Sequence, residues 1–426
     1  MNRFSTYSKY KDSGVEWLGT IPDHWKMVRI KNLLEESKAK SIDGQERSLS
    51  LSKTAGIIPF EDKENRTMQS ASLVGAKVVN EGDVVFNRFK ARLFAVSAYD
   101  GVVSPDYAVY KTKGRANLDY LVALFSTQHY RAAFDRKASG IGDGFSRLYT
   151  ADLFSMYAIL PPKEEQDKMM SWLNKQTTLI ESLKCQKEKE LQTLYELKQV
   201  VIASVVSRGL NPNVQLKDSG IPWIGLIPAH WDTIRIRGLF KESDEKTIDE
   251  TGTLLSLSQY TGISLKSDAG KTGMFEAEST LGYKVVHPGQ FVMNIMLAWN
   301  GSYAVSDLEG IISPAYCVFD FRIDCNKKYY DYLLRTKAYS GAFKTQSRGI
   351  IDSRLRLYPY KFYAFRTLVP PIEEQDAIVD YIESKTTKID NMIESLKTEI
   401  ERLSEYKQRL ISDVVTGQIN VQDEII

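Results

Sequence analysis

Two long stretches of the chain carry apolar residues at a seven-residue interval. In the second stretch the line is Ile382, Ile389, Leu396, Leu403 and Leu410; in the first it is Leu173, Ile180, Leu194 and Val201, interrupted once by Lys187. Neither stretch contains glycine or proline, from Pro162 to Gly209 or from Pro371 to Gly417. A seven-residue apolar repeat without helix breakers predicts coiled-coil helices. Leu183, Leu191, Leu197 and Val205 widen the first stripe, and Met392, Ile393, Ile400, Tyr406 and Val414 the second. Each helix opens after a Pro-Pro pair with acidic residues in its first turn, where carboxylates suit the helix dipole. A helix of roughly 40 residues extends about 60 Å. The two stripes are expected to pack on each other as an antiparallel pair.

The rest of the chain has a different rhythm. Short β-branched runs, such as Lys77-Val78-Val79 with Val84-Val85-Phe86, and Tyr283-Lys284-Val285-Val286 with Phe291-Val292-Met293, are separated by turns at Gly82-Asp83 and Pro288-Gly289. These read as strands, with single helices expected over 118–134 and 328–343.

The two halves repeat each other. Lys11 to Lys31 reads KDSGVEWLGTIPDHWKMVRIK and Lys217 to Arg237 reads KDSGIPWIGLIPAHWDTIRIR. Twelve of these 21 positions are identical, at an offset of 223 − 17 = 206. Pro161-Pro162-Lys163-Glu164-Glu165-Gln166 is matched by Pro370-Pro371-Ile372-Glu373-Glu374-Gln375 at an offset of 209, and Val205-Val206-Ser207 by Val414-Val415-Thr416. Two copies of so long a unit mean duplicated domains, not a solenoid of short repeats. Trp17, Trp25, Trp223 and Trp231, in the duplicated motif, are expected in cores.

Composition narrows the chemistry. Lysine and arginine number 56 against 54 acidic residues, a net charge of +2, so any nucleic-acid contact has to come from local patches. Cys185, Cys317 and Cys325 are few and lack metal spacing, and the four histidines form no zinc pattern. No secretory leader or membrane-spanning run stands out, and a cytoplasmic protein is expected. The Pro-Pro pairs lack the Asn/Asp and the aromatic residue that a base-flipping adenine methyltransferase loop needs. Gly270-Lys271-Thr272 lacks the earlier P-loop glycine, the position being Leu265. Gly140 to Gly144 is a lone glycine-rich loop. A nuclease built on Asp23, Glu61 and Asp62 would lose a carboxylate in the second copy, where Ala229 stands. No catalytic residue, metal site or cofactor is expected.

The K-D-S-G-x-x-W-x-G-x-I-P-x-H-W signature, each Pro-Pro-x-x-Glu-Gln helix start and the Val-Val-Thr-Gly-x-Ile ending resemble the Type I restriction-modification specificity subunit over essentially the whole chain. The resemblance implies an α+β chain with two homologous α/β target-recognition domains, separated by two long helices forming an antiparallel coiled coil with pseudo-two-fold symmetry. The divisions would be residues 1–160 and 209–369 for the recognition domains, and 161–208 and 370–426 for the helical regions. It implies a bipartite double-stranded DNA site, two DNA methyltransferase subunits and, in the larger complex, restriction subunits. S-adenosylmethionine and ATP would bind those partners. Successive major-groove faces lie about 34 Å apart, so a helical rod could act as a ruler between two readers.

Base reading requires polar forks, Arg or Lys for guanine and Asn or Gln for adenine, where the two copies diverge. Three regions qualify. The first is the turn holding Lys53 and Thr54, matched by Gln259 and Tyr260. The second holds Asn87, Arg88, Lys90 and Arg92, matched by Asn294 and Asn300. The third holds Arg147, matched by Arg354 and Arg356 with Arg348 nearby. Arg147 and Arg354 suit phosphate contacts, which position without reading sequence. Two other classes compete: a coiled-coil scaffold or stand-alone DNA-binding regulator, and an enzyme acting on nucleic acid by itself.

Overall fold

The computed structural model describes residues 4–52, 55–63, 72–89, 93–139, 146–259, 261–267, 279–349 and 355–422. The chain divides into two compact units. Unit one comprises residues 1–188 and 398–426, and unit two residues 189–397.

Both units are built on the same sheet. In unit one a four-stranded antiparallel sheet runs in the order Leu34–Glu36, Tyr107–Thr112, Val84–Asn87, Phe94–Val96. In unit two the order is Phe240–Ser243, Tyr316–Phe321, Phe291–Asn294, Tyr303–Val305. Phe86, Tyr110, Tyr120, Phe125 and Phe134 fill the first core, and Phe240, Phe291, Phe319, Phe343 and Phe362 the second. Trp25 and Trp231 are fully buried, while Trp17 and Trp223 are half-buried against Tyr130 and Phe365.

The helices expected over 118–134 and 328–343 are each broken in two. Leu118–Ser126 gives way to Gln128–Lys137, and Lys327–Leu334 to Lys337–Gln346. A threonine makes the first break and precedes the second helix in the other. Thr127 and Thr336 adopt extended ψ angles of 151° and 152°, and their hydroxyls donate to the Leu124 and Leu333 carbonyls at 2.8 Å. Side-chain bonding of this kind competes with helix propagation.

The long helices are Lys163–Arg208, of 46 residues, and Ile372–Val415, of 44. At 1.5 Å per residue the first is roughly 69 Å long. The two run antiparallel within each unit. In unit one Glu181 pairs with Lys407 at 2.8 Å and Lys187 with Glu399 at 2.7 Å. In unit two Lys198 pairs with Asp390 at 2.7 Å. Lys187, the one polar break in the stripe, thus takes a partner from the facing helix. The seven-residue lines form the seam, with Leu173, Ile180, Ile382, Ile389 and Leu410 buried. The wider stripe follows only in part: Ile393 and Val414 are buried, whereas Leu183, Leu197, Met392 and Tyr406 are exposed. A pair of helices covers only a narrow seam on each, so residues to its side stay in solvent. No helix among the described residues is long and apolar enough to cross a membrane.

Each domain grips the start of one long helix and the end of the other. In unit one Glu165, in the first turn, accepts the Trp25 indole N–H at 3.0 Å and contacts His24 Nε2 at 2.6 Å. Gln166, fully buried, donates to the Pro161 carbonyl at 2.8 Å and accepts the Asn117 N–H at 2.8 Å. Unit two repeats every bond: Glu374 with Trp231 and His230, and Gln375 with the Pro370 carbonyl and the Asn326 N–H. At the other helix end the buried Tyr120 hydroxyl donates to the Val415 carbonyl, and Tyr329 to Val206, satisfying carbonyls that a helix terminus leaves unpaired. Gly417 and Gly209 then turn the chain with φ of 79° and 73°. A Cβ there would also press on Trp25 or Trp231, so both the backbone angle and the close approach require glycine.

Candidate DNA interface

Among the described residues, several of the candidates lie at the hairpin after Val84–Asn87 and at its counterpart after Phe291–Asn294. In unit one Asn87 closes a hairpin, its N–H donating to the Leu93 carbonyl at 2.9 Å. Its side-chain oxygen accepts the Phe89 N–H at 2.9 Å. Arg88 reaches inward to Glu36 at 2.5 Å and to Thr150 at 3.4 Å, with 19% of its side chain exposed. Burial pushes the Glu36 carboxyl up, but bonds from Thr150 and Lys77 and the charges of Lys77 and Arg88 outweigh that. Glu36 therefore titrates below the ordinary range. The Arg88 carbonyl accepts the Leu148 N–H at 3.0 Å, which brings Arg147 onto the hairpin. The Arg147 guanidinium lies 4.4 Å from the Phe89 ring centroid and 3.3 Å from Asp106, and remains 42% exposed. Gly56, the first residue of the strand Gly56–Pro59, lies beside Ala95, in the strand leaving the hairpin. Among the described residues, Asn87, Arg88 and Arg147 are thus brought together at this hairpin. Lys53, Thr54, Lys90 and Arg92 lie outside the described residues, as do Gly140 to Gly144.

Unit two reuses the frame with other side chains. Asn294, 4% exposed, accepts the Met296 N–H at 3.0 Å, the same turn that Asn87 makes. Asn300 accepts the Ser302 hydroxyl at 2.9 Å. The Leu357 N–H donates to the Ile295 carbonyl at 2.9 Å, repeating the Leu148–Arg88 bond. Arg348 and Arg356 pair backbone to backbone at 3.0 and 2.9 Å, and both side chains are exposed. Gln259 is tethered through its carbonyl to Arg335 Nη2 at 2.9 Å. Tyr260, Arg354 and Gly270-Lys271-Thr272 lie outside the described residues.

These contacts sort the candidates. Asn87 and Asn294 hold turns, and Arg88 ties its hairpin to the edge strand Leu34–Glu36. Arg147, Arg348 and Arg356 present charge at the rim, the geometry a phosphate contact needs. Arg335 and the Trp-His-Glu-Gln lock escaped the sequence reading; the lock's signal was that both of its motifs recur in both halves. Burial pushes the thiols of Cys317 and Cys325 up to about 12, so neither supplies a thiolate near neutral pH. Among the described residues no group of three or more His, Cys, Asp or Glu could hold a metal ion.

Two comparisons bear on this arrangement. The chain is 23% identical over 434 residues to the Type I restriction enzyme MjaVIII specificity subunit of Methanocaldococcus jannaschii, covering 95% of each. The fold agrees: a chain from a solved type I R-M system superposes with a TM-score of 0.63 at 14% identity, covering 94% of this chain and 99% of that one. No protein-family model matches the chain.

Proposed function

We infer that the chain is the sequence-specific DNA-binding subunit of a Type I restriction-modification complex. One recognition domain, residues 1–160, reads one half of a bipartite site, and the other, residues 209–369, reads the second. The long helices set the unread spacer. The chain makes and breaks no bonds itself; it directs methylation and restriction by partner subunits. The observation that carries this reading is the contrast within each unit. The lock between domain and helix is repeated bond for bond, whereas rim positions such as Arg88 against Ile295 and Lys53 against Gln259 differ between copies. Two readers held alike but armed differently are what an asymmetric two-part target requires.

Arg147, Arg348 and Arg356 contact phosphates in this reading. Gln259, Tyr260, Lys53, Thr54, Lys90 and Arg92 lie where base edges would be read. The helices also dock two methyltransferase subunits. Leu179 and Leu183 in unit one, and Leu197, Val200 and Met392 in unit two, are 44–64% exposed on the same helices. Burying such side chains in a partner contributes roughly 1.5–3 kcal/mol each.

The test is replacement of residues 1–160 by the matching domain of a relative with a different target, in a host carrying the whole operon. Single-molecule sequencing of methylated adenines should show one half-site changed and the other kept. An unchanged methylation pattern would return the chain to the scaffold class, and methylation by the purified chain alone would make it an enzyme.

A further inference from the structure

The two units share a lock but not its cover. In unit one Tyr7 is 9% exposed and packs edge-on against Trp25, centroids 5.5 Å apart, and beside His24. Its hydroxyl donates to Glu165 Oε2 at 3.4 Å. Beneath it the Glu165 side chain is only 16% exposed. Tyr7 stands four residues before Lys11; the residue four before Lys217 is Asn213, which is exposed. Glu374 makes the same bonds to Trp231 and His230 as Glu165 makes to its partners, yet it is 39% exposed. Over it lies an open cleft of about 360 Å³, lined by Arg208, Leu210, Val214, His230, Glu374 and Ile378.

We propose that this cleft receives a tyrosine side chain from a partner polypeptide. The sister unit identifies the occupant. There the same carboxylate, facing the same Trp-His pair, is closed by a phenol whose ring meets apolar surface and whose hydroxyl reaches a carboxylate oxygen. In unit two Val214 and Ile378 offer the apolar walls, and Glu374 the acceptor. The sister occupant also arrives on backbone: Ser5 and Asn420 exchange bonds of 3.0 and 2.8 Å just ahead of Tyr7. Asn211, the counterpart of Asn420, lines the cleft. An extended peptide therefore fits the site better than a free small molecule.

The first measurement uses the full chain labelled at tryptophan indoles, titrated with p-cresol, the tyrosine side chain in isolation. The Trp231 indole resonance, whose N–H rests on Glu374, should shift saturably while that of Trp25 stays still. Asn213→Tyr should abolish the shift by filling the cleft from within. Tyr7→Asn should open the matching space and make Trp25 respond as well. The second measurement rests on the functional reading above and uses the complex with methyltransferase subunits. A photo-crosslinker at Leu210 should capture a tyrosine-bearing peptide of the methyltransferase, and Asn213→Tyr should weaken its loading at least tenfold. A Trp231 signal indifferent to p-cresol would overturn the proposal. So would equal loading by wild type and Asn213→Tyr, an outcome that leaves the functional reading standing.

Discussion

Replacing Gln375 by methionine tests the lock directly. Gln375 is 2% exposed; its amide donates to the Pro370 carbonyl at 2.8 Å and its oxygen accepts the Asn326 N–H at 2.9 Å. Methionine keeps the length and most of the volume but removes both functions. Two backbone groups are then left without their partner at a site closed to water. Each orphaned group costs about 1–3 kcal/mol, so unit two should lose roughly 2–6 kcal/mol. That is a large part of a typical domain's ~5–15 kcal/mol. A chain with two units need not unfold in one step, so a single melting temperature would blur the effect. Hydrogen exchange followed by mass spectrometry resolves it. Amides of the helix Lys327–Leu334, which Asn326 caps, should exchange faster by a factor of about 30 or more, since 1.4 kcal/mol is tenfold. The helix Leu118–Ser126 of unit one should keep its rate, and Gln166→Met should reverse the pattern. A change below about threefold, or one spread evenly over both units, would refute the reasoning.

Three further outcomes follow from the same geometry. The bonds of Glu245 and Glu309 to the His287 ring, at 3.0 and 2.9 Å, raise its pKa above the ordinary value. A raised folded value contributes stability that is fully present below the unfolded pKa of about 6.5 and is lost as pH rises through the folded one; an NMR titration should find His287 high, and Glu309→Gln should bring it down. Arg335→Ala should release the Gln259 turn and weaken reading of the second half-site only, as seen by adenine methylation at sites mutated in either half. Four residues, about one turn, inserted at matching points of the helices should lengthen the unread spacer while both half-sites stay the same; methylome sequencing that finds the old spacer would count against a ruler.

Much of the architecture was legible because it is periodic. The seven-residue line with no helix breaker gave both long helices, and even their ends at Gly209 and Gly417. The same reasoning overreached at Leu183, Leu197, Met392 and Tyr406, because apolarity alone does not say how many neighbours a helix has. Thr127 and Thr336 broke two predicted helices through local hydroxyl bonds that periodicity ignores. At the rim, residue type suggested reading where geometry shows holding: Asn87 and Asn294 accept backbone N–H groups two residues on, a local bond that asparagine favours in turns.

The repeated motifs teach the sharper lesson. His24-Trp25 and Glu165-Gln166 lie some 140 residues apart, and nothing local says they touch. What links them is that both recur, with offsets of 206 and 209, in a chain whose rims diverge. A motif that survives duplication on both sides of a contact is under a mutual constraint: Glu374 without Trp231 loses the indole donor to one carboxylate oxygen, and Trp231 without Glu374 leaves a buried indole donor. At the rim Arg348 and Arg356 pair backbone to backbone with their side chains exposed, so side chains at such positions can change singly. The division of labour between fixed lock and variable rim is therefore a consequence of where the buried hydrogen bonds lie. It predicts that an exchange of reading specificity succeeds when the cut falls outside the Trp-His-Glu-Gln contacts and fails to fold when it mixes incompatible halves of them.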